Sequence, residues 1–161
     1  MHPQIEAIFD EAENRYLTPD ELGLISQYVD SLPERLEAYR TLRDRELEVM
    51  QRVADQLQAA MPQEDVKNLE RSIKNALLLL RYCAMGMLLD DESFVKDRLL
   101  GWLQGTLSSY NIQAIDSTLY RLLNQQLSQT LSASQLNLFT PILTMAQNSL
   151  LQNTPALAMV S

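Results

Sequence analysis

Apolar residues return every three or four positions along almost the whole chain, and this periodicity restricts it to an all-α fold. Ile5, Ile8, Phe9, Ala12 and Tyr16 mark one face of a first helix, and Leu22, Ile25, Val29 and Leu32 mark a second. That spacing lines one side of a 3.6-residue helix. Four glycines and six prolines in 161 residues are too few for an all-β chain with its many turns.

Helix starts are legible as well. In "TPDE", Thr18–Glu21, the threonine can cap, Pro19 loses nothing at the first helical position, and Glu21 closes a capping box. "SLPE", Ser31–Glu34, repeats the signal and predicts a new, long, charged helix with Leu36, Tyr39, Leu42, Leu47, Met50, Val53, Ala54 and Leu57 facing inward. Pro62 ends it, and Asp65 or Asn68 opens an apolar helix that stops near "LDDES". A further helix is predicted over about 93–107, where "SSYN" interrupts the pattern, and Ile112, Ile115, Leu119, Leu122 and Leu123 define the next. The last begins near Ser132, with Gln135 completing a box, and Pro141 inside it predicts a kink or a restart. No repeat or linker divides the chain. The expected domain is a single one over 1–161: an N-terminal helical hairpin (1–32), a body (33–153) and a frayed tail (154–161).

Several functions are excluded by what is missing. The formal charge is −8 with no evident basic stripe, so nucleic acid is not an expected partner. The acidic N-terminus lacks the basic and apolar regions of a secretory signal. The longest apolar runs, Ala76–Leu80 and Tyr82–Leu89, are split by Arg81 and read as too short to span a membrane. One cysteine permits no internal disulfide and suits a reducing cytoplasm, the default location.

The only histidine is His2, at a terminus not expected to line an interior pocket. This removes haem ligation by histidine as well as Ser-His-Asp and Cys-His catalysis. A zinc site would need several His or Cys ligands, and no glycine-rich phosphate loop occurs. The acidic runs "DEAE", Asp10–Glu13, and "DDE", Asp90–Glu92, fall at helix ends, where solvated acids are ordinary. Cys83 sits mid-helix and reads as a small buried side chain, because nothing basic shares its face to favour a thiolate. The expectation is a non-enzyme without metal or cofactor. Beyond Gly105 the only charged residues are Asp116 and Arg121, which fits either a partner-facing surface or a neutral polar exterior.

Four segments in order, "AENRYLTPDEL", "ISQYVDSLPERLEAYRTL", "LERSIKNALLLLRYCAMG" and "VKDRLLGWLQGTL", resemble the phycobiliproteins, and their β-type subunits in particular. The resemblance covers nearly the whole chain in register. It implies a globin-like phycobiliprotein fold whose protruding N-terminal hairpin packs against a partner subunit. On that hairpin, Ile5, Ile8, Phe9, Leu22, Ile25 and Val29 are the expected dimer interface.

The departures from the family pattern bear on function. The family binds a bilin through a cysteine thioether, an aspartate that accepts from the pyrrole N–H groups, and arginines that pair with the propionates. Carried over by position, the cysteine becomes Leu69, the aspartate Ser72 and the second arginine Leu78, while Arg71 survives. The loop that covers the pigment shrinks to "MPQEDVKN", and the late second attachment cysteine of some β-type chains is missing. The implied bilin site is therefore vestigial and holds no cofactor.

Two readings follow. The first is a pigment-free accessory protein that docks on phycobilisome or photosystem components in assembly, repair, turnover or regulation. It would pair as a homodimer, or as a heterodimer with a phycobiliprotein-like chain, in the cytoplasm or on the cytoplasmic face of the thylakoid. Its candidate anchors are Arg71, Trp102, Tyr110 and Tyr120, with a core role open for Trp102. The alternative is a carrier or stress sensor binding a bilin or other small molecule noncovalently. An enzyme such as a bilin lyase lacks catalytic groups.

Overall fold

The computed structural model describes residues 2–104 and 110–152; the side chains of Trp102, Gln104, Tyr110, Asn111 and Gln152 fall outside that description, as do the predicted "SSYN" break and the tail. The helices are α1 (Pro3–Glu11), α2 (Pro19–Ala60), α3 (Val66–Leu89), α4 (Glu92–Val95), a π-helical turn (Lys96–Leu100), α5 (Gly101–Gln104), α6 (Tyr110–Thr130) and α7 (Ala133–Gln152). Because α4, the π turn and α5 follow without a break, the described residues make six rods and no strand.

The caps form as the sequence predicts. The Thr18 hydroxyl accepts from the Glu21 N–H at 3.3 Å, and the Glu21 carboxylate accepts from the Thr18 N–H at 2.8 Å. Arg15 adds two donors to the same carboxylate, at 2.7 and 2.9 Å, and this hydrogen bonding holds Glu21 down at about 2. Asp65 caps α3 by accepting from the Lys67 N–H. Ser132 and Gln135 form a reciprocal box before α7.

Two proline expectations are corrected. No helix starts at "SLPE": α2 runs unbroken for 42 residues with Pro33 inside it. Proline removes one backbone donor, and here both of its flanks are pinned. The Ser31 hydroxyl donates to the Tyr28 carbonyl at 2.7 Å, while Arg35 donates to Ser31 Oγ at 2.8 Å and to the Met87 carbonyl of α3. The division between hairpin and body thus falls within one continuous helix. Pro141 likewise lies inside an uninterrupted α7, so of the kink or restart expected there the restart does not occur. Tyr16, placed on the first helix by its spacing, follows the end of α1 and is 98% exposed.

Helix α3 is the axis of the core. Its inner face, including Leu79, Cys83 and Met87, meets Val53 and Leu57 of α2, Leu119, Leu123 and Leu127 of α6, and Phe139 of α7. By length and composition α3 could cross a membrane, contrary to the expectation from its two short runs. An arginine interrupts a run but not a helix, since it can stay on the outer face. Here the inner face is committed to this domain's core.

The close approach is at Gly86. A Cβ there would overlap Ile142 Cδ1 and lie 3.0 Å from Val95 Cγ2 and 3.2 Å from the Asp91 carbonyl. Just beyond, Asp90 takes the left-handed cap conformation at φ 50°. Asp91 then caps α4, accepting from the Ser93 and Phe94 N–H groups. The chain widens into the π turn, where the adjacent Leu99 and Leu100 are both buried.

The N-terminus folds back onto this junction. His2 is buried, with Nε2 3.0 Å from Asp90 Oδ2 and its ring edge-on to Tyr28. The expectation that His2 could not reach an interior site is therefore corrected. A terminal residue is carried inward when its helix docks, and Ile5 on the next turn is buried with it.

Gly86→Ala is expected to destabilise the protein by about 1–3 kcal/mol, the range for overpacking a filled core. Gly23, near the start of α2 with nothing within 4 Å of an added Cβ, should gain about 0.5–1 kcal/mol as alanine. Paired denaturant melts of the two variants check both signs.

Candidate functional site

The four residues at the expected pigment position do not share a face of α3. Leu69 and Ser72 point into the core and are buried, Arg71 is exposed and Leu78 is half-buried. Residues two apart on a helix are turned about 200° from one another, so Arg71 falls on the side opposite Leu69, while Ser72, three from Leu69, shares its buried face.

Beneath α3 lies a polar cluster. Asp116 of α6 is 5% exposed and faces the hydroxyl of Ser72. Burial pushes its carboxyl up to about 6, and the nearby Ser72 hydroxyl opposes this only in part. Tyr120, one turn further along α6, is also buried; desolvation raises its phenol, helped by the charge of Asp116. Cys83 is fully buried, and burial pushes its thiol up to about 12. Such a thiol is not a nucleophile at neutral pH. Tyr120 is thereby corrected from a surface anchor to a core residue, because the α6 face carrying Ile112, Ile115 and Leu119 turns it inward.

Sequence reasoning missed Asp116, although a signal was present. It lies four residues after Ile112 and three before Leu119, which places it on the buried stripe. With Asp116 inside, Arg121 is the one charged side chain left on the surface of α6 and α7.

On the outer side, Lys67, Arg71 and Lys74 stand at i, i+4 and i+7 along α3 and are all exposed. This is a basic stripe where none was expected. The face continues through Leu78 to Arg81 and Met85, which line a groove of about 310 Å³ between α2 and α3. Its floor is Leu42, Leu80 and Ala84, and a two-point bond from Arg81 to Glu46, at 2.7 and 3.0 Å, bridges its rim.

The hairpin residues also divide. Phe9, Leu22 and Val29 are exposed, at 54%, 53% and 52%, whereas Ile8 and Ile25 are half-buried. Ile5 is buried within its own chain and drops out of any face offered to a partner. The side chains of Trp102 and Tyr110 lie outside the described residues.

A thioether-linked bilin does not fit these residues. The one thiol is sealed in the core, and the one buried carboxylate near Ser72 lies on the side of α3 opposite the exposed Arg71. Among the described residues no group of three His, Cys, Asp or Glu side chains could hold a metal ion.

Asp116 makes stability depend on pH in a definite direction. Its folded value lies above its ordinary value of 3.8, so the native state binds this proton more tightly than the unfolded chain does. Stability from this group is greatest below pH 3.8 and declines by about 3 kcal/mol as pH rises towards and past 6. Asp116→Asn should therefore be the more stable protein at pH 8, with the gap closing towards pH 4 in parallel urea melts.

No curated protein matches the chain. A family model described as phycobilisome protein matches residues 8–150, which takes in every helix from the end of α1 to nearly the end of α7. The ordered helices and the buried α3 agree with that match. The chain belongs to the phycobilisome protein family, non-enzymatic proteins of photosynthetic light harvesting, and has their all-α, globin-like fold.

Proposed function

We propose that this protein is a pigment-free member of its family that works by docking on phycobilisome or photosystem components, at the cytoplasmic face of the thylakoid. The observation that carries the reading is the fate of the attachment chemistry. The family framework is kept over residues 8–150, while the only thiol, Cys83, is enclosed by apolar side chains. A β-type ancestry, with Leu69, Ser72 and Leu78 at former pigment contacts, belongs to the same proposal. Docking then remains as the use of the framework, in assembly, repair, turnover or regulation.

The N-terminal hairpin supplies the pairing face. Phe9, Leu22 and Val29 expose apolar surface on the hairpin, which a contact with another chain would remove from water. A second copy of this chain, or a related phycobiliprotein-like chain, covers it, most simply in an isologous pair.

Purified after co-expression with bilin-synthesis enzymes and lyases, the protein is expected to be colourless, with no visible absorbance surviving denaturation. A covalent bilin at any residue overturns the pigment-free reading. Tagged protein incubated with thylakoid extract should retain phycobilisome or photosystem subunits; a tight noncovalent pigment with no retained protein favours the carrier reading instead.

Val29→Asp should convert the pair to folded monomers in sedimentation velocity, since a charge at a close apolar contact finds no partner. A wild-type protein that is already monomeric at micromolar concentration removes the hairpin from the proposal.

A further inference from the structure

We infer that the outer face of α3 is the docking surface, and that its partner is an acidic amphipathic helix of another protein. The inference rests on the docking reading above and adds where and with what chemistry the contact is made.

The cations of α2 and α3 fall into two groups. Every arginine of α2 has a carboxylate within ion-pair distance, and Arg81 of α3 is held by Glu46. Lys67, Arg71 and Lys74 have no ion-pair partner among the described residues. Glu70 lies one turn from both lysines and pairs with neither. Between Lys67 and Met85 the chain carries four cations and a single carboxylate, on a molecule of net charge −8. A row of unpaired cations on an acidic protein offers an acidic segment bonds that need no internal pair to break first.

The row has a direction and an end. Lys67, Arg71, Lys74, Leu78, Arg81 and Met85 follow one line along the helix, about 27 Å long at 1.5 Å per residue. At its far end the line enters the apolar groove between α2 and α3. A helix of about five turns with carboxylates at i, i+4 and i+7 matches the row, and apolar side chains beyond them fill the groove. This is the helix-in-groove mode, with charge setting the register.

An anionic bilayer or a nucleic acid is a poorer match. Either would bring an extended negative surface against a net charge of −8, whereas a single helix meets only the stripe. At physiological salt the rest of the surface is screened beyond about 8 Å.

The test uses full-length protein and a fluorescein-labelled synthetic helix of 21 residues, with glutamates at i, i+4 and i+7 and leucines one turn beyond. Anisotropy should show binding that weakens with salt and falls about tenfold or more in Lys67→Glu/Arg71→Glu/Lys74→Glu. These side chains are exposed, so the melting temperature should hold. Met85→Glu should weaken the same peptide with the basic row intact. Equal binding by the triple variant overturns the inference, as does a preference for the same peptide carrying lysines. So does capture by phosphatidylglycerol vesicles or by a single-stranded oligonucleotide in place of the peptide. If the triple variant keeps every thylakoid companion of the wild type, the face is wrong and the docking function stands. If the wild type retains no companion, the docking function itself falls.

Discussion

The contact on which the rest of the molecule depends is the seating of α3 against its neighbours at Gly86. Ile142 of α7, Val95 of α4 and the Asp91 carbonyl all press on the place where a side chain would begin. This fixes the rotation of α3 about its own axis, because a turn of one residue, about 100°, would drive a Cβ into α7. It would also carry a lysine or arginine towards the core, where an unpaired charge costs several kcal/mol. The arrangement of cations outside, leucines inside and Asp116 beneath Ser72 is thus a consequence of how closely one backbone can approach another.

Three surfaces of different character result. The outer side of α2 is laced with ion pairs formed within one helix, a surface suited to water. The exterior of α6 and α7 is polar but nearly uncharged. Between these, α3 presents cations without partners beside an apolar groove. Recognition follows unsatisfied groups, so the first surface has least to offer another molecule and the third has most.

How much of this was legible in the sequence depended on the range of the forces involved. The caps at Thr18 and Ser132 join residues three apart and are predicted by their motifs; the cap at Asp65, one of two starts the sequence offers beside Asn68, joins residues two apart. Pro33 and Pro141 carry an equally local signal, yet their helices continue because Arg35 bonds across to α3 and α7 packs along its length. His2 and Tyr120 were misplaced for the same reason: a terminal position and an aromatic type say little about which distant helix will cover them. The pigment-site residues were identified by motif, but only the phase of α3 reveals that Leu69 and Ser72 face away from Arg71 and Leu78. Asp116 was the most recoverable omission, an acid in step with the isoleucines and leucines of its own helix.

The π turn at Lys96–Leu100 has a consequence for the length of the chain. A turn of this kind holds one residue more than the α turn it replaces, and here it contains the adjacent buried pair Leu99 and Leu100. Val95 and Leu103, on either side, are eight apart and both buried. Shortening the stretch by one would set them seven apart, still on one face of an ordinary α-helix. A one-residue deletion in this stretch is thus expected to be absorbed as a change of winding, from a π turn to an α turn.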